Sequence, residues 1–125
     1  MRVVQMASKT IELRKDIQAL LKTVTAQTFY RRATDTALYP YVVYTIEDIF
    51  GAKMLKVDIW DKDSSTVRVE TIADNIETLK DEIIKSENHT VILYYNEDRQ
   101  WVDDEDKQIQ RINLSFELRY YGKER

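Results

Sequence analysis

Ile112-Asn113-Leu114-Ser115-Phe116-Glu117-Leu118-Arg119-Tyr120 is the stretch from which the fold reads most directly. Its apolar residues occupy every second position, and a strand's two-residue repeat sends alternate side chains to opposite faces. Ile112, Leu114, Phe116, Leu118 and Tyr120 share one face; Asn113, Ser115, Glu117, Arg119 and Tyr121 share the other. The segment therefore predicts a half-buried antiparallel strand, wet on one side. Lys53 to Trp60 repeats the pattern, with Leu55, Val57 and Ile59 opposed to Lys56, Asp58 and Trp60. Tyr39-Pro40 favours an extended backbone ahead of Tyr41 to Ile46, a run of aromatic and β-branched residues. Glu47 to Ala52 contains Gly51 and reads as the hairpin connection between these two strands. Thr90 to Tyr95 supplies a fourth, nearly continuous apolar strand.

Two helices flank this set. Val3, Met6, Thr10, Leu13, Ile17, Leu20 and Val24 recur at three- and four-residue steps, which predicts a helix over Ser8 to about Lys22. Val69, Ile72, Ile76, Leu79 and Ile83, widened by Ile84, form the second stripe and predict a helix from Val69 to Ile84. Asp61, Asp63, Ser64, Ser65 and Thr66 precede it and can cap its first N–H groups. The order helix, hairpin, helix, two strands predicts an α+β fold, with two helices packed on one face of a largely antiparallel four-stranded sheet. Residues 1–125 read as a single domain. The expected core is Leu13, Ile17, Leu20, Leu55, Val57, Ile59, Ile72, Ile76, Leu79, Ile112, Leu114, Phe116 and Leu118.

Composition narrows the chemistry. The 125 residues suit one domain, and 43% hydrophobic with 33% charged residues is neither disordered nor membrane-spanning. No apolar run approaches the roughly 20 residues of a spanning helix, and Met1-Arg2-Val3-Val4-Gln5 does not resemble the start of a secretory signal. Nineteen basic and 22 acidic residues give a net charge of −3, against duplex-DNA binding through phosphate neutralisation. Without cysteine, disulfides, thiolate metal sites and cysteine nucleophiles are all excluded.

Asn96 to Asp106 carries Glu97, Asp98, Asp103, Asp104, Glu105 and Asp106 against Arg99, and reads as an exposed acidic loop with a short strand near Gln100 to Val102. Asp103-Asp104-Glu105-Asp106 lacks the alternate ligand positions and the glycine of a calcium loop. The lone His89, close to Ser86 and Glu87, reads as a helix-end residue; paired with the acidic cluster it would suit a small acid–base hydrolase. Gly51 and Gly122 are the only glycines, so neither a phosphate-cradling loop nor a serine elbow is present. The eight tyrosines suit protein contact surfaces. Ile49 and Phe50 at the hairpin tip are candidate anchors for a neighbour, with the alternative that the arm folds back and buries them.

Leu38-Tyr39-Pro40-Tyr41-Val42-Val43-Tyr44, then Leu55-Lys56-Val57-Asp58-Ile59-Trp60-Asp61-Lys62-Asp63 running into the second helix, then the closing alternating strand, occur in an order that resembles the tail-completion, or tail-terminator, proteins of long-tailed bacteriophages and prophages. The resemblance implies a structural, non-enzymatic role without cofactor or metal. It implies self-association into a ring, commonly of six subunits, on the head-proximal end of the tail tube. Implied partners are the tail tube protein and the head connector protein, with no sequence-specific nucleic acid and no membrane. The implied location is the bacterial host cytoplasm during assembly and then the head–tail junction of the virion. A head–tail connector or neck component is the related alternative. The expected interface residues are Ile49, Phe50, Asp103, Asp104, Glu105, Asp106 and Tyr121. The six carboxylates between Asn96 and Asp106 either face a lumen that DNA traverses or pair with Arg31, Arg32 or Arg119 of a neighbour.

Overall fold

The computed structural model describes residues 9–122. Val3 and Met6 of the first stripe lie outside them, as do residues 123–125, the end of a C-terminal tail from Tyr120 to Arg125 that the sequence also offers as a contact element. Helix α1 spans Lys9–Lys22, β1 Thr28–Tyr30, β2 Tyr41–Ile49, β3 Ala52–Lys62, α2 Val67–Glu77, β4 Ile83–Lys85, β5 His89–Trp101 and β6 Ile109–Gly122.

The expected four-stranded sheet is corrected by this structure. Six strands form one curled, mostly β sheet in the order β1-β2-β3-β6-β5-β4. It is mixed, because β1 runs parallel to β2 (Thr28 beside Val42, Tyr30 beside Tyr44) while the other neighbours are antiparallel. The additional edge strands are three residues each, too short for a periodic pattern to announce them. Further length comes from Asn96 to Arg99, expected as loop, and from Gln100 and Trp101, expected as a short strand; all continue β5 beyond an irregularity between Tyr95 and Asp98.

The second helix is shorter than its stripe. After Glu77 the chain tightens through Leu79 N–H to Ile76 O (3.0 Å) and Lys80 N–H to Glu77 O (3.1 Å). Asp81 then adopts φ 66°, the left-handed conformation that ends helices. Asp81 N–H donates to Leu93 O at 2.8 Å, and Leu93 N–H donates to Glu82 O at 3.0 Å. Ile83 and Ile84 therefore enter the sheet rather than the helix. At the other end, the Ser65 hydroxyl accepts from Val67 N–H at 3.2 Å, a local turn ahead of α2.

Register explains the core. Val42, Ile59 and Ile112 lie in one row across β2, β3 and β6, and Tyr44, Val57 and Leu114 lie in the next. All are buried on the face that also receives Leu13, Ile17 and Leu21 from α1 and Val69, Ala73 and Ile76 from α2. Leu20 and Ile72, expected inside, pack at the margin instead. Their places are taken by Leu21, at the i+4 step from Ile17, and by Ala73. Asp61 also lies on this face, fully buried, and receives the Arg68 side chain through Nε–H to Oδ2 at 2.8 Å.

Candidate interaction surfaces

The expected interface residues separate to opposite ends of the sheet. At one end β2 and β3 meet in a two-residue turn at Phe50 (φ 49°) and Gly51 (φ 80°). Positive φ at both positions matches the hairpin's right-handed twist, and asparagine or glycine is the usual first residue. Here a phenylalanine holds that place with its side chain wholly exposed (104%), beside half-exposed Ile49 (37%). Exposed Tyr121 lies at the same end, since Lys53 pairs with Leu118 and β6 finishes at Gly122.

The acidic residues occupy the other end, in the connection from β5 to β6. Asp104 accepts from Asp106 N–H at 3.0 Å, and Asp106 accepts from Gln108 N–H at 2.9 Å, so these side chains fold the loop themselves. Asp106 also pairs with Lys62 at 3.6 Å. Arg119, one expected partner for these carboxylates on a neighbour, is engaged within its own chain: its Nε–H meets Glu117 at 3.1 Å and its guanidinium covers the Tyr94 ring.

His89 does not join the acidic loop. It opens β5 opposite Gly122, at the hairpin end of the sheet, and is fully buried. Its Nε2 lies 2.7 Å from Asp16 Oδ2, and its ring sits 5.3 Å from that of Tyr120. Ser86 serves the backbone turn, its Oγ accepting from His89 N–H at 3.3 Å, and takes no triad position. The two halves of the hydrolase reading are thus a strand length apart. Among the described residues no cluster of three His, Cys, Asp or Glu side chains is arranged to hold a metal ion, and no helix is long and apolar enough to cross a membrane.

Two surfaces were not singled out from the sequence. The first is the sheet face away from the helices. Trp60 and Tyr41 stack there with centroids 6.0 Å apart, flanked by Phe29 and Tyr39, and Arg111 lies 4.0 Å above the Trp60 ring. Arg111 and Asn113 also donate to Asp58 at 2.7 and 3.1 Å. Burial against these rings raises the Tyr41 hydroxyl's pKa, with the neighbouring Tyr39 adding to the effect. This face is solvated yet ordered by its own pairs. The alternation in β3 and β6 marked it as polar, but not as aromatic.

The second is a cleft of about 250 Å³ between the start of α1 and the hairpin arm. Leu13, Tyr30 and Ile46 supply apolar walls, and Lys9, Arg14 and Lys53 line it with positive charge. Tyr120 closes one side; its hydroxyl is buried without a hydrogen-bond partner among the described residues. Asp48 offsets Lys53 at 2.9 Å, while Arg14 lies over the Tyr30 ring. Far along the molecule, beside the acidic loop, Trp101 is half exposed (51%) at the end of β5.

No protein-family model matches this chain, and no curated protein does. Among solved structures, a chain of one described as "Virion of native gene transfer agent (GTA) particle" shares the fold, with a TM-score of 0.60 at 12% identity. The match covers 86% of this chain and 90% of that one. The two chains therefore share nearly their whole architecture.

Proposed function

We propose that this chain is a structural protein of a phage-like particle. In this reading it caps the head-proximal end of the tail tube as a ring and meets the head connector there. The observation that carries the reading is the likeness to a virion chain across almost the full length of both. The distribution of surface features supports it. Anchoring side chains project from two opposite ends of one sheet, the arrangement that lets identical subunits join head to tail and close a ring. Assembly would take place in the bacterial host cytoplasm, and the finished protein would reside at the head–tail junction.

The test is Ile49→Asp combined with Phe50→Asp. Both side chains are exposed, so the fold should persist, with the denaturation midpoint nearly unchanged, while tail completion is lost. Electron microscopy of tail tubes mixed with wild-type protein should show a terminal ring that the double variant fails to form. Binding to connectors but never to tubes would favour the neck reading. Normal completion by the variant, or wild-type protein absent from both tubes and connectors, would sink the proposal.

A further inference from the structure

The cleft and the acidic loop are complementary in charge, yet they lie at opposite ends of the fourteen-residue strand β6 and cannot meet within one chain. We propose that Trp101 and the acidic loop of one copy dock into the cleft beside α1 on the next copy. This contact rests on the ring reading above and names the surfaces that join its subunits.

Three observations converge. The cleft, at about 250 Å³, is of a size to admit one indole, and its Leu13, Tyr30 and Ile46 walls suit an aromatic guest. Trp101 is a large aromatic left half exposed on the last residue of its strand, with no ring partner among the described residues. Charge then fixes the orientation. Lys9 and Arg14 have no ion pair among the described residues, and neither have Asp103, Asp104 and Glu105. A tryptophan seated in the cleft brings the following carboxylates to the basic rim, so steering and anchoring act together. Because cleft and anchor are different surfaces, the contact is heterologous, the kind that repeated rotation closes into a ring when the angle divides a full turn. Phe50 lies at the cleft's own end and remains free for a different partner, such as the tube.

Absence of native cysteine makes the contact directly testable. Lys9→Cys combined with Asp103→Cys places one thiol at each end of the molecule, and a disulfide requires Cα atoms within about 7 Å. Mild oxidation of the purified variant should give a ladder of dimer, trimer and higher species on a non-reducing gel. Adding Trp101→Ala should cut the ladder at least tenfold. Lys9→Glu with Arg14→Glu should abolish wild-type association in sedimentation, and Asp103→Lys with Asp104→Lys in the same chain should restore it. Monomer alone, or dimer without higher species, overturns the head-to-tail contact, as does a ladder indifferent to Trp101. Wild-type protein that sediments as a closed oligomer while the cysteine variant gives no ladder overturns this contact and leaves the ring. Wild-type protein that stays monomeric and is absent from tail ends in micrographs overturns the ring and this contact with it.

Discussion

The two faces of β6 lie one residue apart in sequence and follow different physics. Phe116 and Leu114 look inward beneath the helices and are fully buried, whereas Ser115, Glu117 and Asn113 look outward and remain partly solvated. The inward face is held by packing, where volume decides the cost of a change. The outward face is held by local pairs: Arg119 with Glu117 is water-screened and small, while Arg111 with Asp58 and Trp60 is only partly exposed. A surface of the second kind can be rewritten without threatening the fold.

The largest test of that contrast is Phe116→Ala beside Glu117→Ala. The first empties a fully buried aromatic site and should cost about 3–5 kcal/mol in denaturant unfolding. The second removes a surface pair with Arg119 and should cost about 0–1 kcal/mol. Equal effects would mean that the outward face is packed against something in the free protein.

Asp61 tests the inward face from the polar side. Its carboxylate is fully buried, while Arg68, its partner, is half exposed and can return to water. Arg68→Ala strands the carboxylate and should clearly lower the denaturation midpoint, because it leaves a buried charge without its partner. Asp61→Leu combined with Arg68→Leu removes both charges and should recover most of that loss. Failure to recover would show that Asp61 is needed for the turn it makes with Lys62 N–H (2.8 Å) rather than for charge balance.

How far the sequence discloses this structure follows from the same division. β2, β3 and β6 are legible because one face is apolar and the other is not. The second half of β5 is hidden, since Arg99 points to the helix side but is neutralised there by Asp74 (2.7 Å) and Glu77 (2.6 Å) on α2. A buried-side position filled by a paired charge breaks the period-two signal. The end of α2 is hidden for another reason: Asp81, not glycine or proline, turns the chain, and Ile83 and Ile84 continue a helical spacing by coincidence. His89 reads as a helix end, yet it is a strand residue whose partner, Asp16, is 73 positions away. As for the candidate site, the sequence puts Ile49 and Phe50 at a hairpin tip but leaves open whether the arm buries them, and the structure leaves them exposed. The cleft is not legible, because its walls come from five separate elements.

Tyr44 gives a smaller and pH-dependent test. Burial beneath α1 pushes its hydroxyl up to about 12, with Arg14 opposing the shift. The folded state therefore keeps a proton that the unfolded chain releases near pH 10. Its contribution is intact below pH 10 and is lost as pH climbs toward 12. Tyr44→Phe should remove the bond to Arg14 O (3.1 Å), cost about 1 kcal/mol at neutral pH and flatten the decline in stability between pH 10 and 12. An unchanged alkaline slope would assign that decline to the other raised tyrosines, Tyr95 (burial and Glu77) and Tyr41 (burial).

The smallest effect is the most discriminating, because stability and assembly should move in opposite directions. Phe50 occupies a left-handed position that asparagine adopts more readily than a bulky aromatic does, and its exposed ring returns no burial in the free chain. Phe50→Asn should therefore raise stability by about 0.5–1 kcal/mol, an amount typical of relieving a strained turn residue. The same change removes the most exposed apolar side chain at the hairpin end. If that ring anchors a partner, the more stable variant will complete fewer tails. A variant that loses stability would place the ring against its own sheet in solution, making the arm part of the core. One that gains stability and completes tails as before would leave the phenylalanine without a role in assembly, and the search for the anchor would shift to Ile49 and Tyr121.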